Sequence, residues 1–155
     1  MSLHTIYLHT VHLLTKHAGF SLGLLLSVNL LSINLLSVNA VAGDIPPSLT
    51  FDVQPVFDTY CVQCHMLEVA QAGLVLENGE AYANLVGVKS TQSDLLRVSP
   101  GNSVASYLAN KLLGTHAEAG GSGSGMPLTE MGHRPLKDQD LKVIIDWINQ
   151  GGQDN

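Results

Sequence analysis

Cys61-Val62-Gln63-Cys64-His65 contains both cysteines of this chain and sets a histidine directly behind the second one. Cysteines three positions apart fall on one side of a single helical turn. Their sulfurs can therefore reach one edge of a flat ligand while the next residue is carried beneath it. This is the attachment spacing of a c-type haem: thioethers from Cys61 and Cys64 to the two vinyl groups, and an imidazole nitrogen of His65 on the iron. The stretch marks Cys61, Cys64 and His65 as cofactor-binding residues, His65 as a metal ligand, and one covalently attached haem c as the cofactor.

Other chemistries use the same spacing. A structural zinc site closes with four ligands, commonly from a second Cys/His pair, and no third cysteine exists here. A redox dithiol belongs at the strand-to-helix junction of a βαβ unit, and the flanking sequence has no such alternation. Nor does a dithiol or a plain disulfide give His65 a role.

The N-terminal stretch reads as an export signal. Between Met1 and Ala42 the only formal charge is Lys16, an apolar run extends from about Phe20 to Val38, and Ala40-Val41-Ala42 ends it in a small-x-small cleavage site. The run is just long enough to cross a bilayer, so a retained anchor is the alternative. Asn29, Asn34 and Asn39 argue against it, because they would each present an amide to lipid. Residues 1–42 are thus expected to be removed, leaving 43–155 as one small domain outside the cytoplasm, periplasmic or otherwise exported. With the anchor retained, the same domain would sit at the membrane on that side. Export suits the haem reading, since an isolated cysteine pair there is better consumed by thioether formation than left as a labile disulfide.

The chain carries thirteen acids against seven basic residues, a formal charge of −6. All the acids and every basic residue but Lys16 lie after Ala42, so the remainder is more acidic still. Binding of nucleic acid or anionic lipid by charge is not expected.

Apolar spacing by three and four marks a first helix through Phe51, Val53, Val56 and Phe57 to Tyr60, capped by Ser48 or Thr50, with Pro55 in its first turn. Gly73 to Leu76 reads as extended, Asn78-Gly79 as a turn, and Glu80 to Val86 as a short helix. A further helix is predicted over Ser103–Leu113, stopped by Gly114, with Tyr107, Leu108 and Leu112 inward. Gly114 to Gly125 is too glycine-rich for a helix and reads as a flexible segment. The last helix runs from about Asp138 to Gln150, apolar at Leu141, Ile144, Ile145 and Ile148, with Trp147 extending that face. No strand pattern is long enough for a sheet, so the fold class is mostly α.

A haem with His65 on one side leaves the second axial position to a methionine, a histidine or nothing. Met66 adjoins His65 and cannot reach the far side. Met131, His116 and His133 remain alternatives. Met126 is favoured, because Pro127 holds it extended and the glycines before it allow close approach to a porphyrin. The glycine content of that loop further suggests a labile Met126–iron bond.

Taken together, Phe51 to Phe57, Cys61 to His65, Gly73 to Leu76, Pro100 to Leu108, Met126-Pro127 and Trp147 to Gly151 resemble the small exported class I-like cytochromes c of bacteria. The resemblance covers nearly all of residues 43–155. It implies a cytochrome c fold of three to five short helices around a covalent haem, the first and last crossing beside it, with His65 and Met126 as axial ligands. Lys137 departs from it, standing where a capping serine is usual.

An iron held by imidazole and thioether has no open position, so no catalytic residue is expected and the chain reads as an electron carrier rather than an enzyme. One-electron transfer would link a donor and an acceptor redox protein, at least one with a basic docking face. The alternatives are a haem-based gas sensor or peroxidase-like site with a labile sixth ligand, and a haem subunit of a larger exported oxidoreductase complex.

Overall fold

The computed structural model describes Ile45 to Asn155. The signal or anchor read over residues 1–42 lies outside the described residues. Among those described, no helix is long and apolar enough to cross a membrane.

The first helical stretch opens as a π-turn, Leu49–Val53, and continues as α1, Gln54–Tyr60. Ser48 caps it, its Oγ accepting the Phe51 N–H at 3.2 Å. Within the π-turn the Val53 N–H donates five residues back to the Ser48 carbonyl at 3.1 Å. The ladder returns to α register around Pro55, which has no N–H to give. The buried stripe is Leu49, Val53, Val56 and Phe57, whereas Phe51 is 80% exposed. Phe51 was expected to face inward, but it stands two residues from Val53, about 200° around a helix.

α2 spans Ala81–Leu85, after the expected turn at Asn78-Gly79, where Gly79 takes φ +85°. α3 spans Tyr107–Leu113 and begins later than the predicted Ser103. Ser106 accounts for the delay: fully buried, its hydroxyl accepts the Ser99 N–H at 2.8 Å and donates to the Asn102 carbonyl at 2.8 Å, holding a turn ahead of the helix. Gly114 stops α3 in a left-handed conformation, φ +76°. A two-residue hairpin follows, β1 Leu128–Thr129 against antiparallel β2 Gly132–His133. α4 spans Asp138–Asn149 and ends at Gly151 and Gly152, both at positive φ. Lys137 precedes α4 without a side-chain cap, as its departure from the resemblance suggested.

The described chain is thus mostly helical, four α-helices and a two-stranded hairpin. Val53 and Phe57 share one core cluster with Ile144, Trp147 and Ile148 of α4. Removing such side chains from water contributes roughly 1.5–3 kcal/mol each. The Tyr60 hydroxyl donates to Asp140 Oδ2 at 3.0 Å, joining α1 to α4 near one end. At the other end the chain terminus folds back, Thr50 and Leu49 donating backbone N–H to the Asn155 carbonyl and side-chain oxygen at 3.0 and 2.9 Å. Trp147 is buried and its indole N–H donates to the Gln153 carbonyl at 2.9 Å.

Candidate functional site

α1 does not stop abruptly before the cysteines. Successive turn bonds, Cys61 N–H to Phe57 O at 2.8 Å and His65 N–H to Cys61 O at 3.0 Å, carry the coil through the motif. His65 is buried, and its backbone carbonyl accepts the Leu76 N–H at 2.7 Å. Its Nδ1 lies 3.2 Å from the Leu74 carbonyl, which requires the proton on Nδ1 and leaves Nε2 with a lone pair. Burial, foremost, lowers its pKa from the ordinary imidazole value, while the Leu74 carbonyl pulls the other way. A neutral imidazole with an oriented, free Nε2 is the form that ligates a metal. Cys61 is half-buried and Cys64 exposed, both as free thiols. Burial, and then the neighbouring Cys64, push the Cys61 thiol up to about 12.

The turn after the motif is strained. Ala70 and Ala72 stand at φ +38° and +55°, ahead of Gly73 at +63°. Non-glycine residues there cost of order 1–3 kcal/mol each unless their surroundings hold them. Arg97 supplies part of that hold: Nη1 donates to Asn84 O at 2.9 Å, and Nη2 to Ala72 O and Gly73 O at 3.2 and 3.0 Å. Arg97 was missed in the sequence. Its one signal there is a cation set between Leu96 and Val98, apolar neighbours that announce burial.

The Gly114–Gly125 segment, read as flexible and loosely held, is instead densely anchored. Lys111, buried on α3, donates through Nζ to Ser122 O at 2.7 Å and Ser124 O at 2.9 Å. The Tyr107 hydroxyl also donates to Ser122 O, at 2.8 Å, and the Ser122 N–H donates to Gln92 O at 3.0 Å. The glycines serve close packing. A Cβ on Gly121 would overlap the Tyr107 ring, and one on Gly125 would lie 2.7 Å from His133 Cγ. Met126, at the end of this segment, is fixed on both sides of its backbone: its N–H donates to Lys111 O at 2.8 Å, and its carbonyl accepts from His133 Nε2 at 3.0 Å. The Met126–Pro127 peptide is cis.

These segments enclose one cavity of about 300 Å³, the lower end of ligand pockets. Cys61, Cys64, His65 and Met126 all border it. Leu74, Leu76, Leu85, Leu108 and Leu112 give it apolar walls, and Tyr107, expected inward, lines it with them. The other candidates for the second axial position do not line it. Met131 is 99% exposed, His116 Nε2 is engaged by Gly123 O at 2.8 Å, and His133 supports Met126 from behind. Trp147 belongs to the core cluster shared by the first helical stretch and α4, and is not part of the cavity lining. Two free thiols, one free imidazole nitrogen and one thioether around an apolar space form a donor set that suits a covalently held haem.

Comparison with known proteins adds one likeness. No family model matches the chain, and no curated protein matches it. Among solved structures it is similar to the Kuenenia stuttgartiensis hydrazine synthase, with 20% identity and a TM-score of 0.47. That likeness covers 67% of this chain and 16% of the other, so the chain spans a minor part of that protein's length.

Proposed function

We propose that the chain is a single-haem c-type cytochrome of the class I-like kind, transferring one electron at a time between exported or membrane-associated redox proteins. The observation that carries this reading is the meeting of Cys61, Cys64, His65 and Met126 at one apolar cavity, from segments far apart in sequence. Cys61 and Cys64 would hold the cofactor covalently through their sulfurs. His65 Nε2 and Met126 Sδ would ligate its iron. When bound, haem supplies an iron that alternates between ferrous and ferric states, and a methionine ligand favours the ferrous state relative to a second histidine. Leu74, Leu76, Leu108 and Leu112 keep water from the site. Hydrogen bonds on both sides of Met126 favour a stable thioether ligand, and so favour electron transfer over gas sensing or peroxidase-like chemistry.

The domain 43–155 works outside the cytoplasm, after cleavage at Ala42. Its acidic balance suits donor or acceptor proteins with a basic docking face. Electron exchange should then slow as salt rises, and rates independent of ionic strength would remove the charged-partner part of this proposal.

The test is an absorption spectrum with an intact mass, taken on protein exported from cells able to attach haem. The expected result is residues 43–155 plus one haem, low-spin in both oxidation states. A haem-free mass overturns the cofactor reading, whereas a high-spin ferric form that binds carbon monoxide rapidly replaces electron transfer with the sensor reading.

A further inference from the structure

Three consecutive carbonyls of the segment before Met126 are held by side chains from two places. Lys111 of α3 takes Ser122 O and Ser124 O, and between them Gly123 O accepts from His116 Nε2 at 2.8 Å. His116 belongs to the segment itself and ties its outgoing half to its returning half. Its own carbonyl accepts the Gly121 N–H at 2.8 Å, so main chain and ring close the same loop.

Bonding to a carbonyl fixes the tautomer of His116: the proton is on Nε2, and Nδ1 carries a lone pair. Nδ1 is buried and has no hydrogen-bond partner among the described residues. A second proton could go only there, and would make a buried N–H without an acceptor, which is costly. The charged and titratable neighbours do not offset that cost. Lys111, from α3, lies against Gly123, where an added Cβ would be 3.0 Å from Nζ, and its ammonium repels a further cation. Gln92 reaches the same point with an uncharged amide, 3.1 Å away at Nε2. His133, from the hairpin, packs at both ends of the loop, against Gly114 and Gly125, and can add only positive charge. Glu118, the one acid in the loop, is exposed and forms no ion pair with His116 among the described residues.

We propose that His116 is an acid-sensitive lock on the Met126 loop, closed by a neutral imidazole and released when that imidazole takes up a proton. The direction follows from counting protons. The closed loop binds none at His116 beyond the Nε2 proton, whereas in the open loop a free imidazole binds one more below about pH 6.5. Opening therefore gains up to about tenfold for each pH unit below that value and is independent of pH above it. The loop ends at Met126, so its release frees the backbone that Lys111 and His133 hold there. The consequence for the iron rests on the haem reading above: acid uncovers the position that Met126 fills at neutral pH.

Amide hydrogen exchange, corrected for its intrinsic pH dependence, measures opening in the full chain with haem attached. The reporters are Gly121, Ser122 and Met126, whose N–H groups are bonded to His116 O, Gln92 O and Lys111 O. The rate at which ferric iron takes up nitric oxide, a ligand that does not titrate, reads release of Met126 in the same samples. From about pH 6.5 to 5 the wild type is expected to show a roughly thirtyfold rise in both, with exchange in α4 unchanged. His116→Gln keeps an N–H donor and cannot titrate, so both stay flat. An equal rise in the variant, or a flat wild-type profile, overturns the lock. Faster exchange without faster uptake overturns its link to Met126. Should His116→Gln not fold, His116→Asn takes its place, and a flat wild-type profile still overturns the proposal by itself. The haem reading fails separately, on a wild-type mass that lacks covalent haem.

Discussion

The two walls of the cavity are held by different means. On the His65 wall most of the fixing bonds are local, running within Phe57 to Leu76: the turn bonds through the cysteines, Leu74 on the ring and Leu76 on the backbone, with Arg97 added from outside at Ala72 and Gly73. On the Met126 wall they come from elsewhere in the chain, from Lys111, Tyr107, Gln92 and His133. Glycine is dense in the second wall and yet the wall is not loose. Where side chains are missing, carbonyls become accessible, and buried donors on α3 take them. Close packing against Tyr107 and His133 then requires that the side chains stay missing.

The largest expected way to break this arrangement is Gly121→Ala. The added Cβ would meet the ring of a Tyr107 that is buried and tied through its hydroxyl to Ser122, so the ring has little room to yield. Destabilisation of about 3 kcal/mol is expected by denaturant unfolding, at the upper end for overpacking. Gly120→Ala is the contrast. Gly120 sits at φ +70° with open space around its Cβ position, so only backbone strain of about 1 kcal/mol applies. Equal losses at the two sites would mean that the glycines serve turning alone and not contact.

Lys111→Met comes next. The substitution keeps most of the buried stem and removes the Lys111 bonds to Ser122 and Ser124, leaving the Ser124 carbonyl short of a partner while Ser122 keeps Tyr107. A loss of about 2 kcal/mol follows from the unsatisfied polar group, together with, under the haem proposal, weaker Met126 ligation, read as a diminished low-spin ferric spectrum. A variant with full ligation and unchanged stability would show that the loop is held without α3.

The contrast between walls also sets what could be read from the sequence. Cys61 to His65 was legible because its geometry is completed inside one turn, and Met126 because Pro127 and the preceding glycines restrict it locally. Arg97 and Lys111 were not legible as parts of the site. Each acts on carbonyls, at Ala72 and Gly73 or at Ser122 and Ser124, that only tertiary folding brings within reach. The left-handed Ala70 and Ala72 were hidden as well, since alanine ordinarily signals helix. In the first helix the apolar period was read correctly except at Phe51, where hydrophobicity was taken for position.

A bond from Tyr60 ties the His65 wall to α4, and it gives the smallest effect. Tyr60 lines the cavity on the His65 side, and its hydroxyl donates to Asp140 on α4. That hydrogen bond, foremost, and burial after it raise the Tyr60 pKa above its ordinary 10.0. The folded state therefore keeps the phenol proton at pH values where the unfolded chain has begun to lose it. By linkage, the stabilisation is complete below about pH 10 and is lost as pH rises through the folded value. Tyr60→Phe has no proton to lose, so its stability should be slightly lower at neutral pH and decline less steeply above about pH 10 than that of the wild type. Urea unfolding across that range measures both. An identical alkaline decline in the variant would show that the tie to α4 contributes nothing to the His65 wall.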